Sequence, residues 1–168
     1  MNDLTEIQQQ LEATAQLLGG KLREQGRQLV TAESCTGGWI AQTATAIPGS
    51  SAWFDRGYVT YSNRAKMEIL AVPETVLVKH GAVSTQTAAA MAAGAIGASG
   101  VDISVAVTGV AGPDGGTPDK PVGMVCFGWC LRDADPVTRV VQFDGDRQGV
   151  RAQTVAVALD GLLELIAI

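Results

Sequence analysis

The stretch Leu29-Val30-Thr31-Ala32-Glu33-Ser34-Cys35-Thr36-Gly37-Gly38 most restricts what this chain can fold into. A β-prone run passes through small polar residues to a glycine pair, and a helix is expected to open there, over Trp39–Ile47. A strand-to-helix corner of this kind aims unpaired N–H groups at one point, and the helix dipole adds partial positive charge. That point favours an anion or a developing oxyanion, and Ser34 stands at the bend. Two readings compete. In one, Ser34 or Thr36 is a helix N-cap and the glycines serve a tight turn. In the other, Ser34 is a nucleophile with its oxyanion donors beside it.

The remaining pattern supplies the frame for that corner. Leu4, Ile7, Leu11, Leu18 and Leu22 recur at helical spacing and predict a first helix ending at Gln25-Gly26, with glycine as C-cap. Strands are expected at Gln28–Thr31, Trp53–Tyr61, Asp102–Val110, Val122–Arg132 and Val137–Phe143. Helices are expected from Arg64 to Leu70, capped by Asn63, and over Pro73–His80. A longer one follows over Thr85–Ser99, capped by Ser84. The last helix starts near Asp146, with Val150, Val155, Leu159, Leu162, Leu163 and Ile166 on one face. Helices alternate with strands early, and Asp133-Ala134-Asp135-Pro136 suggests a late hairpin. Together they predict one domain over residues 1–168, an α/β protein of the three-layer α/β/α sandwich class. Its sheet is expected to be mixed and mostly parallel.

Composition narrows the function. A net charge of −5 gives no general attraction to nucleic acid or to an anionic membrane. No apolar run approaches the roughly 20 residues that span a bilayer. The start, Met1-Asn2-Asp3-Leu4-Thr5-Glu6, lacks the basic and apolar regions of a signal peptide. Cys35, Cys126 and Cys130 form no zinc-type pair, and His80 is the sole histidine, so no metal site is expected. Reduced thiols in the cytoplasm fit that count.

A nucleophilic Ser34 needs a base. His80 ends a short helix, where a surface role suits it as well as a catalytic one. A lone carboxylate is a poor base for serine, which leaves lysine, known from serine–lysine variants of the nucleophile–base pair. The lysines are Lys21, Lys66, Lys79 and Lys120. Lys66 falls three residues after Asn63, inside a first helical turn where the dipole and desolvation both disfavour an ammonium. It is either a neutral base or a solvent-facing lysine. Tyr61 precedes it at a strand end, able to relay the proton or simply to sit at the surface. Tyr58 and Tyr61 face opposite sides of a strand, so one of them at most lines a site. Thr108 and the glycine-rich loop Gly109–Gly116 match neither a Walker loop nor GxGxxG, yet can offer N–H groups to an anion. Arg147 and Arg151, one turn apart, are phosphate ligands or partners for Asp144 and Asp146.

Five ordered motifs carry a resemblance: Ala32–Gly38, Gly49-Ser50-Ser51-Ala52-Trp53-Phe54, Tyr58–Asn63 with Lys66, His80-Gly81-Ala82-Val83-Ser84, and Thr108–Gly116. The chain resembles the CinA C-terminal domain family, whose enzymatic members are nicotinamide-mononucleotide amidohydrolases. The resemblance implies hydrolysis of the carboxamide of nicotinamide mononucleotide to nicotinate mononucleotide and ammonia, without a cofactor, in a three-layer fold that forms a homodimer. It also implies the stand-alone form, since larger members carry an extra N-terminal domain. Ser34, Lys66 and Tyr61 would be catalytic. Glu33, Cys35, Thr36, Gly37, Gly38, Asn63, Thr108, Gly109, Gly112 and Arg147 would bind substrate, with Arg147 on the phosphate. Ala71 stands where the family pattern has glycine, which bears on a turn. The alternatives are a non-catalytic phosphate-binding module tied to competence or DNA damage, and a partner-binding scaffold with no pocket near Ser34.

Overall fold

The computed structural model describes residues 3–168. Met1 and Asn2, part of the N-terminal segment weighed above as a signal, lie outside the described residues. In chain order the elements are α1 (Leu4–Gln25), β1 (Leu29–Glu33), α2 (Trp39–Thr45), β2 (Phe54–Val59), α3 (Asn63–Leu70), α4 (Glu74–His80), α5 (Thr85–Ser99), β3 (Ile103–Gly109), β4 (Met124–Leu131), β5 (Val137–Gln142) and α6 (Arg147–Ile166). Every residue of β1 is buried, as a strand covered on both faces must be. The strands β2 and β5 are mostly exposed and form the two edges.

The sheet order is β2-β1-β3-β4-β5. β1 pairs in parallel with β2 and with β3, while β4 runs antiparallel to both its neighbours. Four strands therefore share one direction and β4 alone is reversed, a mixed sheet as expected. Helices α1, α2 and α6 cover one face around Leu18, Leu22, Ile40, Leu159 and Leu162. Helices α3, α4 and α5 cover the other around Leu70, Leu77, Met91 and Ala95. The α5 backbone comes so close to the end of α3 that a Cβ on Gly94 would lie 1.9 Å from the Leu70 carbonyl oxygen.

Several boundaries differ from expectation, among them β1, which runs on to Glu33 instead of stopping at Thr31, and three of the differences have local reasons. α2 ends at Thr45, short of Ile47, because Pro48 biases the preceding residue away from the helical region. β2 ends at Val59 instead of Tyr61, since the carbonyls of Thr60 and Tyr61 accept hydrogen bonds from the Lys66 amine and not from a strand. The cap of α3 is Ser62, not Asn63: its extended backbone lets Oγ accept from the Ala65 N–H at 3.0 Å. Asn63 is instead the first helical residue. Ala71 does occupy a left-handed turn, at φ 53°.

The register brings function to one edge. Glu33 pairs with Val59 on one side and Val107 on the other. The segments leaving β1, β2 and β3 thus emerge together at the carboxyl end of the sheet. The chain passes from β1 to β2 on one side and then to β3 on the other, so this is also where strand order reverses. Open α/β sheets hold ligands at such a point.

Candidate active site

Ser34 leaves β1 anchored by its N–H, which donates to the Val107 carbonyl at 3.1 Å. The Gly37 N–H donates back to the Ser34 carbonyl at 3.1 Å, closing a tight turn. Gly37 and Gly38 sit at φ 61° and 101°, which explains the glycine pair sterically. The turn is held from beneath by Glu33, whose carboxylate accepts from Thr36 Oγ1 (2.6 Å), the Ile40 N–H (2.8 Å) and the Ala41 N–H (3.0 Å). Glu33 is thereby fully engaged and buried, and it does not reach the pocket. The N-cap of α2 is Gly38, so neither Ser34 nor Thr36 caps that helix.

Lys66 crosses 32 residues of sequence to meet this corner. Its Nζ lies 3.0 Å from Ser34 Oγ, 2.9 Å from the Thr60 carbonyl and 3.3 Å from the Tyr61 carbonyl. The residue is 1% exposed and no carboxylate pairs with it among the described residues. Burial lowers its pKa from the ordinary 10.5, because a desolvated ammonium is disfavoured; the Cys35 thiol opposes this weakly. A neutral amine has two N–H bonds and one lone pair. As an ammonium Nζ donates to all three oxygens; in the neutral form the two carbonyls take both N–H bonds, which leaves the lone pair for the Ser34 hydroxyl.

Both residues line a pocket of about 290 Å³, near the lower end of small-molecule sites. Cys35, Tyr61, Thr108, Gly109, Gly112 and Arg147 line it too, as the sequence indicated. Ala82 and Val83 line it as well, and their apolar side chains carry no chemical signature by which a sequence would mark them. Thr108 Oγ1 is tied to the Ala82 carbonyl at 2.8 Å, joining the two walls. Thr36, Gly37, Gly38 and Asn63 are absent from the pocket lining. The first three line a separate cleft with Gln8, Trp39, Gln42 and Arg151.

Arg147 donates from Nη1 to the Gly112 carbonyl at 2.7 Å and from Nη2 to the Tyr61 hydroxyl at 3.3 Å, across the pocket. Arg151 has a different employment, binding the Cys35 and Thr36 carbonyls. Lys120 holds the His80 carbonyl. Arg147 is therefore the arginine that the pocket presents. The Tyr61 hydroxyl meets Arg147 and not Ser34 or Lys66, so the serine–lysine contact is direct. Cys35 adjoins the same corner, but burial pushes its thiol up to about 12, far from a reactive thiolate.

Among known proteins, residues 11–166 match the family described as the CinA C-terminal domain. The chain is 56% identical over 149 residues to "Nicotinamide-nucleotide amidohydrolase PncC" of Pseudomonas putida, covering 88% of this chain and 92% of that one. It is 47% identical over 153 residues to the protein of the same name from Escherichia coli K12, covering 91% and 93%. Among solved structures, the competence/damage inducible protein CihA of Agrobacterium tumefaciens superposes with a TM-score of 0.90 at 44% identity, covering 92% of this chain and 94% of that one.

Proposed function

The chain belongs to the CinA C-terminal domain family, and from that premise we propose that it hydrolyses the carboxamide of nicotinamide mononucleotide through Ser34 and Lys66. The observation that carries this reading is the 3.0 Å contact between a buried serine hydroxyl and a buried amine without a counter-ion. Ser34 Oγ attacks the amide carbon while its proton passes to the Lys66 lone pair. The carbonyl oxygen becomes an oxyanion beside the main-chain donors of the corner. The C–N bond then breaks, Lys66 returns the proton to the leaving nitrogen, and ammonia departs. Water gives a proton to Lys66 and its oxygen attacks the Ser34 ester. Collapse of that second intermediate restores the serine hydroxyl and frees nicotinate mononucleotide. Arg147, released from Gly112 and Tyr61, takes the 5′-phosphate.

A pure phosphate-binding module would need the corner and Arg147 but gives no reason to bury Lys66, whose desolvation is costly. We also read residues 1–168 as one cytoplasmic catalytic domain, in keeping with three free cysteines. No helix among the described residues is long and apolar enough to cross a membrane. A homodimer is the assembly we expect, to be checked by sedimentation. The central test is ammonia release from nicotinamide mononucleotide by wild type and Ser34→Ala. Turnover near that of wild type in a folded Ser34→Ala protein would end the serine mechanism; binding without any release by wild type would favour the module.

A further inference from the structure

Arg151 stands one helical turn after Arg147 on α6, yet it faces the back of the nucleophile corner and not the pocket. Its Nε donates to the Cys35 carbonyl at 3.1 Å and its Nη2 to the Thr36 carbonyl at 2.9 Å. Its guanidinium lies over the Trp39 ring, 5.5 Å from the centroid. That ring is held in turn through Nε1, which donates to Gln8 Oε1 at 2.8 Å. A planar fork stacked on an indole, with two prongs on successive carbonyls, is a rigid arrangement that an ammonium does not reproduce.

The two carbonyls belong to the Cys35–Thr36 and Thr36–Gly37 peptides, the second and third after Ser34, which carry the Thr36 and Gly37 N–H groups. The peptide between Cys35 and Thr36 is trans, so its N–H points opposite to its C=O. With that C=O drawn toward the cleft shared by Arg151 and Trp39, the Thr36 N–H is turned away from the cleft. The Cys35 N–H is fixed similarly, because the Ser34 carbonyl of the same peptide accepts from Gly37. Among the described residues, the Cys35 and Thr36 N–H groups have no protein acceptor, whereas the Gly37 N–H is spent within the turn.

We propose that Arg151 is a positioning residue that, by gripping the Thr36–Gly37 peptide whose N–H holds the Ser34 carbonyl, fixes the Ser34–Cys35 peptide so that the Cys35 N–H serves as an oxyanion donor in the pocket. The inference rests on the serine reading above. It also narrows the donors: the Gly37 N–H is excluded by its bond to the Ser34 carbonyl, and Thr36 does not line the pocket. A donor of this kind acts on the charge that develops in the transition state and hardly on the neutral amide of the ground state. Its misalignment therefore lowers kcat and spares KM.

The experiment compares wild type, Arg151→Ala and Arg151→Lys in steady-state ammonia release from nicotinamide mononucleotide, with thermal melts of each. Arg151→Ala is expected to lose at least about tenfold in kcat, a fraction of the 10²–10³ that deletion of one donor costs. KM stays within about threefold, since uniform binding is untouched. Guanidinium ion added to folded Arg151→Ala restores part of the lost kcat. Arg151→Lys, which reaches one carbonyl at most, falls between the two and carries the test if the alanine variant does not fold. A wild-type kcat in a folded variant overturns the proposal, as does a loss confined to KM or an Arg151→Ala kcat unmoved by guanidinium. No ammonia from wild type would instead fail the serine reading itself.

Discussion

Replacing Lys66 by methionine tests the site most directly, because it keeps the volume of a fully buried side chain and removes only the amine. Loss of a positioned proton acceptor costs about 10²–10⁴ in rate, or roughly 3–5 kcal/mol of barrier. The structural cost is limited. The Thr60 and Tyr61 carbonyls lose a donor, worth about 1–3 kcal/mol each if left dry. Against this, the variant no longer has to desolvate an amine, so the net change in stability is expected within about 2 kcal/mol. The pH dependence provides a second readout with a definite sign. A lysine whose folded pKa lies below its unfolded 10.5 binds fewer protons when folded than when unfolded. Its penalty is complete below the folded pKa and disappears as pH rises through the window up to 10.5. Wild type should therefore gain stability with pH relative to Lys66→Met across that window, and its kcat/KM should rise through the lowered pKa as the neutral amine forms. Ammonia release is measured on protein shown to be folded by its melt. A folded Lys66→Met enzyme within about tenfold of wild-type kcat would refute the base assignment.

Other expectations follow from the same geometry. Arg147→Ala should raise KM for nicotinamide mononucleotide about 10–100-fold, the worth of a charge-assisted phosphate contact, with little change in kcat. The dephosphorylated nucleoside should be indifferent to the change, and equal losses on both substrates would move the phosphate elsewhere. Cys35→Ala should keep most of the turnover, since a thiol pushed up to about 12 is not the nucleophile; alkylation of wild type at neutral pH should be slow. Gly94→Ala should destabilise by about 1–3 kcal/mol or more, read as a lower melting midpoint with kcat of the folded fraction unchanged. Its Cβ would collide with the Leu70 carbonyl, which as backbone can move only by separating α5 from α3.

Much of this protein is legible along the chain because the relevant physics is local. Hydrophobic spacing gives α1 and α6, while α5 is marked by its Ser84 cap and alanine-rich run. The Ser84 cap is readable because its hydroxyl serves an N–H three residues on, and Asp146, near which the last helix was expected to start, proves to cap it in the same way. Gly37 and Gly38 announce a corner because left-handed backbone disfavours side chains. Where two caps compete, as at Ser62-Asn63, the choice depends on which residue has extended backbone, and that is set by how β2 leaves the sheet.

The sequence alone thus determined the alternation of elements, the corner at Ser34 and the candidate residues Lys66 and Arg147. The tertiary structure decided which of these groups meet, and how deeply each is buried. Lys66 becomes a candidate base only because the parallel pairing of β1 with β2 carries it to Ser34 and because packing buries it without a counter-ion among the described residues. Glu33 and Arg151 are polar residues that composition would send to a ligand. The fold turns both onto the backbone of the corner instead, since desolvated carbonyl and N–H groups there require partners from distant segments. Hydrogen bonding of that range is invisible to local pattern, and it is what converts a serine in a turn into a candidate nucleophile.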